Sequence, residues 1–414
     1  LNFAEGLDEI LVVEEKRALI ENQLKEQLYN MGGEKRPRVV GKYDEQGDWI
    51  LPSAGELTPA RIARVIAARL KVVGYESDNI RRRLGVLEKI EKSLESIDPL
   101  MQRTPYFCSG CPHNTSTKVP EGSRAMAGIG CHYMVQWMDR ETETFTHMGA
   151  EGANWIGQAP FVKTEHIFQN IGDGTFHHSG SMAIRAAVEA NANMTYKILF
   201  NDAVAMTGGQ PPAAGEKPVA ITADRITRMV YSEGVRDITV VVDDPDKYPA
   251  GMEWAPGVQV EPREALDRVQ RDLRQRKGVS VLVYDQTCAA EKRRRRKRGT
   301  YPDPAKRVFI NEAVCEGCGD CGVKSNCVSV TPVETEFGRK RAIDQSSCNK
   351  DYSCVNGFCP SFVTVEGGGL RKPEARTDTG VWAVLPDPEI PSLEAESFGI
   401  LITGVGGTGV VTIG

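Results

Sequence analysis

The sequence predicts an α/β protein built on a doubly wound, mostly parallel sheet. A small cysteine-rich module follows, and partial α/β domains flank both. Three observations predict this. Strand-like and helix-like patterns alternate from about residue 165 to residue 284, as they do where parallel strands are joined by crossover helices. Gly172-Asp173-Gly174 and, further on, Asn201 each follow directly on an apolar strand pattern, and the C-terminal edge of a parallel sheet is where ligands bind. Most of the eleven cysteines fall into short-spaced groups, which in a reducing compartment points to metal rather than disulfides.

A chain of 414 residues exceeds one hydrophobic core, so two or three domains are expected. The formal charge of -5 favours neither a nucleic-acid nor a membrane surface. The longest apolar runs, such as 398–405, fall short of a membrane span. No signal-peptide pattern is present, and a cytoplasmic setting is expected. The chain starts at Leu1 and closes inside a glycine motif, so it reads as a segment of a longer polypeptide. The expected domains are 1–57 (the end of a preceding α/β domain plus linker), 58–300 (the ligand-binding domain), 301–375 (the cysteine-rich module) and 376–414 (a linker and the start of a further α/β domain).

Taken in order, 9–15 reads as a strand, 16–29 as an amphipathic helix, and the glycine-, proline- and charge-rich 31–57 as a linker. Helices are expected at 59–72, with Pro59 in the first turn, and at 77–96. Strands follow at 165–171, 196–200, 238–242 and 279–284, interleaved with helices at 176–192, 223–232 and 263–276. The basic run from Lys292 to Arg298 reads as a charged linker patch, with steering of an acidic redox partner as a second role.

The two strand-end motifs suit a metal-bound diphosphate. Mg²⁺ wants oxygen ligands that it can share with phosphate, which fits the Asp173 carboxylate, the Asn201 amide oxygen and the backbone carbonyl of Ala203. Gly172, Gly174, Gly208 and Gly209 let the main chain approach phosphate closely, and the helix after Gly174 turns its positive end toward the anion.

The cysteines divide by position. Cys108, Cys111 and Cys131 form a first set, and Cys288 is the remaining cysteine outside the later group. His113 or His132 would complete a zinc site instead. A glycine-rich turn at 146–152 is expected to line the same crevice. Cys315, Cys318 and Cys321 have the spacing of bacterial ferredoxins, in which the cysteine of a distant Cys-Pro completes the cubane; Cys359-Pro360 supplies that pair here. The module therefore reads as ferredoxin-like, with Cys315, Cys318, Cys321 and Cys359 on one cluster. Cys327, Cys348 and Cys354 remain for a second, which could be complete, three-iron, or closed by a non-cysteine ligand. The turn at 404–409, Gly-x-Gly-x-x-Gly after a strand pattern, taken alone suggests a dinucleotide site.

The Gly-Asp-Gly with a following asparagine resembles the thiamine-diphosphate signature, although Asp202 stands where a second asparagine is usual. Together with Phe107-Cys108-Ser109-Gly110-Cys111-Pro112-His113, the loop 172–180, Val204-Ala205-Met206-Thr207-Gly208 and the turn at 404–409, it resembles the indolepyruvate ferredoxin oxidoreductase family of the 2-oxoacid:ferredoxin oxidoreductase superfamily, in its long fused form. The resemblance implies thiamine diphosphate with Mg²⁺, contacted also by Thr175, His177, Met206, Thr207 and Gly208. It implies a proximal [4Fe-4S] cluster on Cys108, Cys111, Cys131 and Cys288, and two or three clusters in all. The implied reaction is oxidative decarboxylation of a 2-oxoacid, an aryl pyruvate by family expectation, to acyl-coenzyme A and CO₂, with electrons passed to ferredoxin. Further domains of the same polypeptide would supply the cofactor-activating glutamate, and a homodimer or higher oligomer is expected. A non-oxidative thiamine-dependent decarboxylase, a stand-alone iron-sulfur or zinc module, and a nicotinamide enzyme resting on 404–409 are the alternatives.

Overall fold

The computed structural model describes residues 2–95, 104–212, 220–368, 386 and 402, so the turn at 404–409 lies outside the described residues. Chain contacts divide the protein into two units, Leu1–Thr104 and Pro105–Gly414.

In the first unit, β1 (Glu9–Leu11) pairs in parallel with β2 (Arg38–Val40). The crossover helix α1 (Ile20–Leu28) packs Leu28 with Ile10 and Val12. Helix α2 (Pro59–Val72) starts at Thr58, whose hydroxyl accepts from the Arg61 N–H at 3.3 Å, and α3 (Asp78–Glu95) follows. The sequence places a domain boundary after residue 57, but α2 belongs to this first unit. Arg69 of α2 is buried against Glu9 at the head of β1 and Glu45, the latter at 2.8 Å. The expected linker at 31–57 contains β2 and a turn closed by a Tyr43–Trp49 bridge. Two of its charges, Arg38 and Glu45, are held in ion pairs with Glu9, Arg69 and each other, which composition alone does not reveal.

The second unit is built on six parallel strands: β3 (Ala125–Met126), β4 (Ile167–Gly172), β5 (Met194–Phe200), β6 (Asp237–Val242), β7 (Gln259–Pro262) and β8 (Val279–Asp285), in the spatial order β3-β4-β5-β8-β6-β7. The central strands are buried on both faces and mostly apolar, as two-sided coverage demands, with a few buried polar side chains such as Asn170 and Lys197 among them. One face, with Ile171, Ile198, Val240 and Val283, packs on Ile184 and Ile226 from the crossover helices; the other, with Leu199, Val241 and Leu282, packs on Leu266, Val269 and Leu273. The helices of this unit are α4 (His113–Ser116), α5 (Ala153–Gln158), α6 (Asp173–Thr175), α7 (Ser181–Glu189), α8 (Ala223–Ser232), α9 (Leu266–Arg274) and α10 (Ala289–Lys297). A π-turn, Phe176–Gly180, joins α6 to α7.

After α10 come two antiparallel pairs, β9 (Arg307–Ile310) with β12 (Phe362–Val365) and β10 (Val330–Thr335) with β11 (Gly338–Ile343), with α11 (Asp320–Ser325) after the first strand. The basic run is not a linker patch. It forms most of α10, where Arg295 pairs with Asp202 at 2.7 Å, Lys292 with Asp243 at 3.3 Å, and Arg293 and Arg296 donate to the carbonyls of Ser346 and Asn349 at 2.8 and 2.9 Å. Among the described residues no helix is long and apolar enough to cross a membrane.

Candidate active site

Both strand-end motifs stand side by side, because β4 and β5 are neighbours with Gly172 in register with Leu199. Asp173 is 3% exposed at the first position of α6. Its Oδ2 accepts from the backbone N–H groups of Asn201 and Asp202, both at 3.0 Å, and its Oδ1 from that of Gly174 at 2.8 Å. Burial nevertheless pushes its carboxyl up to about 7, because these hydrogen bonds do not replace lost hydration. A buried carboxylate in that condition suits a divalent cation, which would restore its charge. Asn201 is buried, with Oδ1 accepting from the Ala203 N–H at 3.2 Å, and Ala203 is buried beside it. Asp202, by contrast, is turned to Arg295 of α10.

The remaining expected contact residues lie around this point. Thr175 is buried and donates to the Ile129 carbonyl at 3.4 Å, and His177 is half-buried on the π-turn. Met206, Thr207 and Gly208 are exposed on a loop closed by the Val204 N–H donating to the Gln210 carbonyl at 2.8 Å. Val204 covers Gly174: a Cβ there would come within 3.0 Å of the valine methyl.

The first cysteine set is gathered next to this loop. Burial raises the thiols of Cys108, Cys111 and Cys131, and nearby thiols of the set, Cys288 among them, add to it; Cys131 is pushed up to about 11. Thiols whose ionisation is disfavoured by burial and by close cysteine neighbours fit a site where metal charge makes thiolates favourable. Cys288 is joined directly to the loop after β5, its N–H donating to the Asn201 carbonyl at 3.0 Å. His113 and His132 are buried with ring centroids 5.5 Å apart, and burial lowers them to about 4 and about 3. Among the described residues, no three His, Cys, Asp or Glu side chains converge on a point that one metal ion would fill; a multi-iron cluster spreads its thiolates over outer corners.

Sequence reasoning missed the residue that ties these parts together. Glu151, at the end of the glycine-rich turn, is fully buried and accepts from the N–H groups of Gly149 at 2.7 Å and Ile129 at 3.4 Å, holding the Cys131 loop beside Thr175. Its position in Gly-Ala-Glu-Gly was the available signal. A cavity of about 820 Å³, lined by Asp202, Asp243, Lys247, Tyr248, Arg296 and Tyr301, opens at the same sheet edge and was equally unforeseen.

In the module, Cys315 and Cys318 adjoin Cys321, while Cys327 and Cys348 adjoin Cys354, whose thiol is pushed up to about 12 by burial and by those two neighbours. Cys359 starts the turn whose Ser361 carbonyl accepts from the Asn311 N–H at 2.7 Å, and Asn311 in turn holds the Cys315 N–H at 2.9 Å. The first cysteine set meets the module at Ser109, whose hydroxyl lies 3.4 Å from the Cys327 sulfur.

Residues 1–97 match the indolepyruvate ferredoxin oxidoreductase middle domain, and residues 128–284 match the C-terminal TPP-binding domain of thiamine pyrophosphate enzymes. Indolepyruvate oxidoreductase subunit IorA of Thermococcus kodakarensis is 28% identical over 86% of this chain and 53% of its own length; that of Pyrococcus abyssi is 26% identical over 89% and 54%. The chain thus spans about half the length of these curated relatives. A solved 2-oxoglutarate:ferredoxin oxidoreductase from Magnetococcus marinus overlaps 50% of this chain and 70% of that one at 18% identity and a TM-score of 0.34, a likeness that adds no weight. With these two domains in this order and relatives of one name along most of its length, the chain is similar to the indolepyruvate ferredoxin oxidoreductases.

Proposed function

We propose that this chain binds thiamine diphosphate through Mg²⁺ held by Asp173, Asn201 and the Ala203 carbonyl. The protein it represents then oxidises a 2-oxoacid to acyl-coenzyme A and CO₂. Bound there, the cofactor supplies the electron sink that lets a 2-oxoacid lose CO₂. The chain's own residues grip the diphosphate end, with Gly172, Gly174 and Gly208 allowing close approach and Asp173 fixing the cation. Cys108, Cys111, Cys131 and Cys288 hold an iron-sulfur cluster for the electrons, and the ferredoxin-like module carries further clusters that lead to ferredoxin. The substrate is an aryl pyruvate, the class named in the relatives' title of indolepyruvate oxidoreductase.

The observation that carries this reading is the hydrogen bond from Cys288 to Asn201, which leaves no intervening element between the cysteine set and the cofactor loop. A decarboxylase without redox function has no use for that arrangement. The test is calorimetric titration of anaerobically prepared protein with thiamine diphosphate, with and without Mg²⁺. Magnesium-dependent binding that weakens at least about 100-fold in Asp173→Ala, with iron and sulfide retained, is expected. Absence of magnesium-dependent binding in the unaltered protein overturns the cofactor assignment, and absence of iron and sulfide overturns the redox assignment.

A further inference from the structure

Cys348, Asp351 and Cys354 repeat the two-residue spacing of Cys315, Cys318 and Cys321, with a carboxylate where the middle thiol would stand. The fold puts Asp351 in the lining of the same small cavity as Cys327, Cys348 and Cys354. It is not free to act as a ligand. Its Oδ1 accepts from Arg263 at 2.6 Å and from Gln286 at 2.7 Å, and its Oδ2 accepts from the Ser353 hydroxyl. Arg263 and Asp351 are both largely buried, so this pair is not loosened by solvent.

Several neutral groups in the lining have partners as well. Ser325 donates to the Cys321 carbonyl at 2.7 Å, Ser329 bonds Ser109 and Ser347, and the Asn349 amide donates to the Ser109 carbonyl at 2.8 Å. Cys359 is anchored beside Cys315 by the Asn311 bonds described above. A four-iron cubane is ordinarily held by four thiolates. This cavity is lined by three cysteines and by a carboxylate that an arginine already holds.

We propose that Cys327, Cys348 and Cys354 bind a three-iron, four-sulfide cluster whose open corner faces Asp351. This rests on the iron-sulfur reading of the module. Because Ser109 lies between Cys108 and Cys111 and touches Cys327, the three-iron centre stands next to the sheet's cysteine set.

The experiment is electron paramagnetic resonance and metal analysis of the full chain, purified anaerobically and reconstituted with iron and sulfide. An oxidised three-iron cluster is paramagnetic without added reductant, whereas a resting four-iron cubane is not. A signal of about one spin per chain, lost on one-electron reduction, with about eleven irons rather than about twelve, is expected. Asp351→Cys restores the missing thiolate, so the signal should vanish and the iron content should rise by about one. Asp351→Asn, which adds no thiolate, should keep the signal. About twelve irons with no signal overturns this inference alone, and so does a signal that survives in folded Asp351→Cys, because it would then arise from another set. A chain free of iron and sulfide overturns both this inference and the reading beneath it.

Discussion

Lys197 places an ammonium group inside the sheet. It is fully buried on β5, donates to the Lys118 carbonyl at 2.9 Å and lies 5.7 Å over the Phe168 ring. Burial, with Arg140 nearby, pushes it down to about 7. The folded chain therefore binds fewer protons here than the unfolded chain between about 7 and the usual lysine value of 10.5. Stability from this group rises with pH across that window, and the cost of burying the charge is at its full value below it. Lys197→Met should be more stable than the unaltered protein near neutral pH and should lack the rise, as read from urea midpoints at about pH 6.5 and about pH 9. An unaltered protein whose midpoint fails to gain on the variant over that interval would show that the lysine is not neutralised by the fold.

Individual residues differed in how visible they were in the sequence. That Asp173 and Asn201 meet at neighbouring strand ends was legible because each follows an apolar strand pattern, and ligands bind at that edge of a parallel sheet. Asp351 was not, because a carboxylate becomes informative only when the cysteines on either side are known to share a cavity. Glu151 was hidden for a related reason: a glutamate in a glycine-rich turn looks solvated until the fold closes over it.

Among the elements, the loop from Gly128 to Cys131 lies so close to β4 that a Cβ at Gly128 would come within 2.2 Å of the Asn170 carbonyl oxygen. Backbone cannot move aside as a side-chain tip can. Gly128→Ala should destabilise the protein by about 1–3 kcal/mol and displace the Cys131 loop. Chemical denaturation together with the iron content of the variant would measure both, and unchanged values would show that the loop has slack. The helices α2, α3 and α8 and the central strands were legible because their periodic or continuous apolar patterns are long. The edge strands β2, β3 and β7 have two to four residues each and give no such pattern. The π-turn at Phe176–Gly180 also left no trace in the periodicity, although such turns gather at functional sites.

At the scale of the whole molecule, the alternation of strand and helix was enough to give the parallel sheet, but not its division from the preceding unit. That boundary depends on Arg69 reaching Glu9 across sixty positions of sequence, an ion pair that composition cannot foretell. The position of the module was likewise invisible, since it rests on Arg263, Arg293 and Arg296 finding partners at 346–351.

Helix α10 begins at Cys288 and sends Arg295 to Asp202 on one side and Arg296 to Asn349 on the other. Arg295 and Asp202 are partly open to solvent, with side chains 29% and 44% exposed. Mobile ions therefore compete for that contact: at about 1 M salt the screening length shrinks to about 3 Å, comparable with the contact itself. The protein should release thiamine diphosphate more readily as ionic strength rises, with a weaker salt dependence in Arg295→Gln, as equilibrium dialysis against sodium chloride would record. Equal salt dependence in the two would mean that Asp202 is held by something other than charge. If the difference is found, the grip on the cofactor loop is set by the surrounding electrolyte as well as by the sheet.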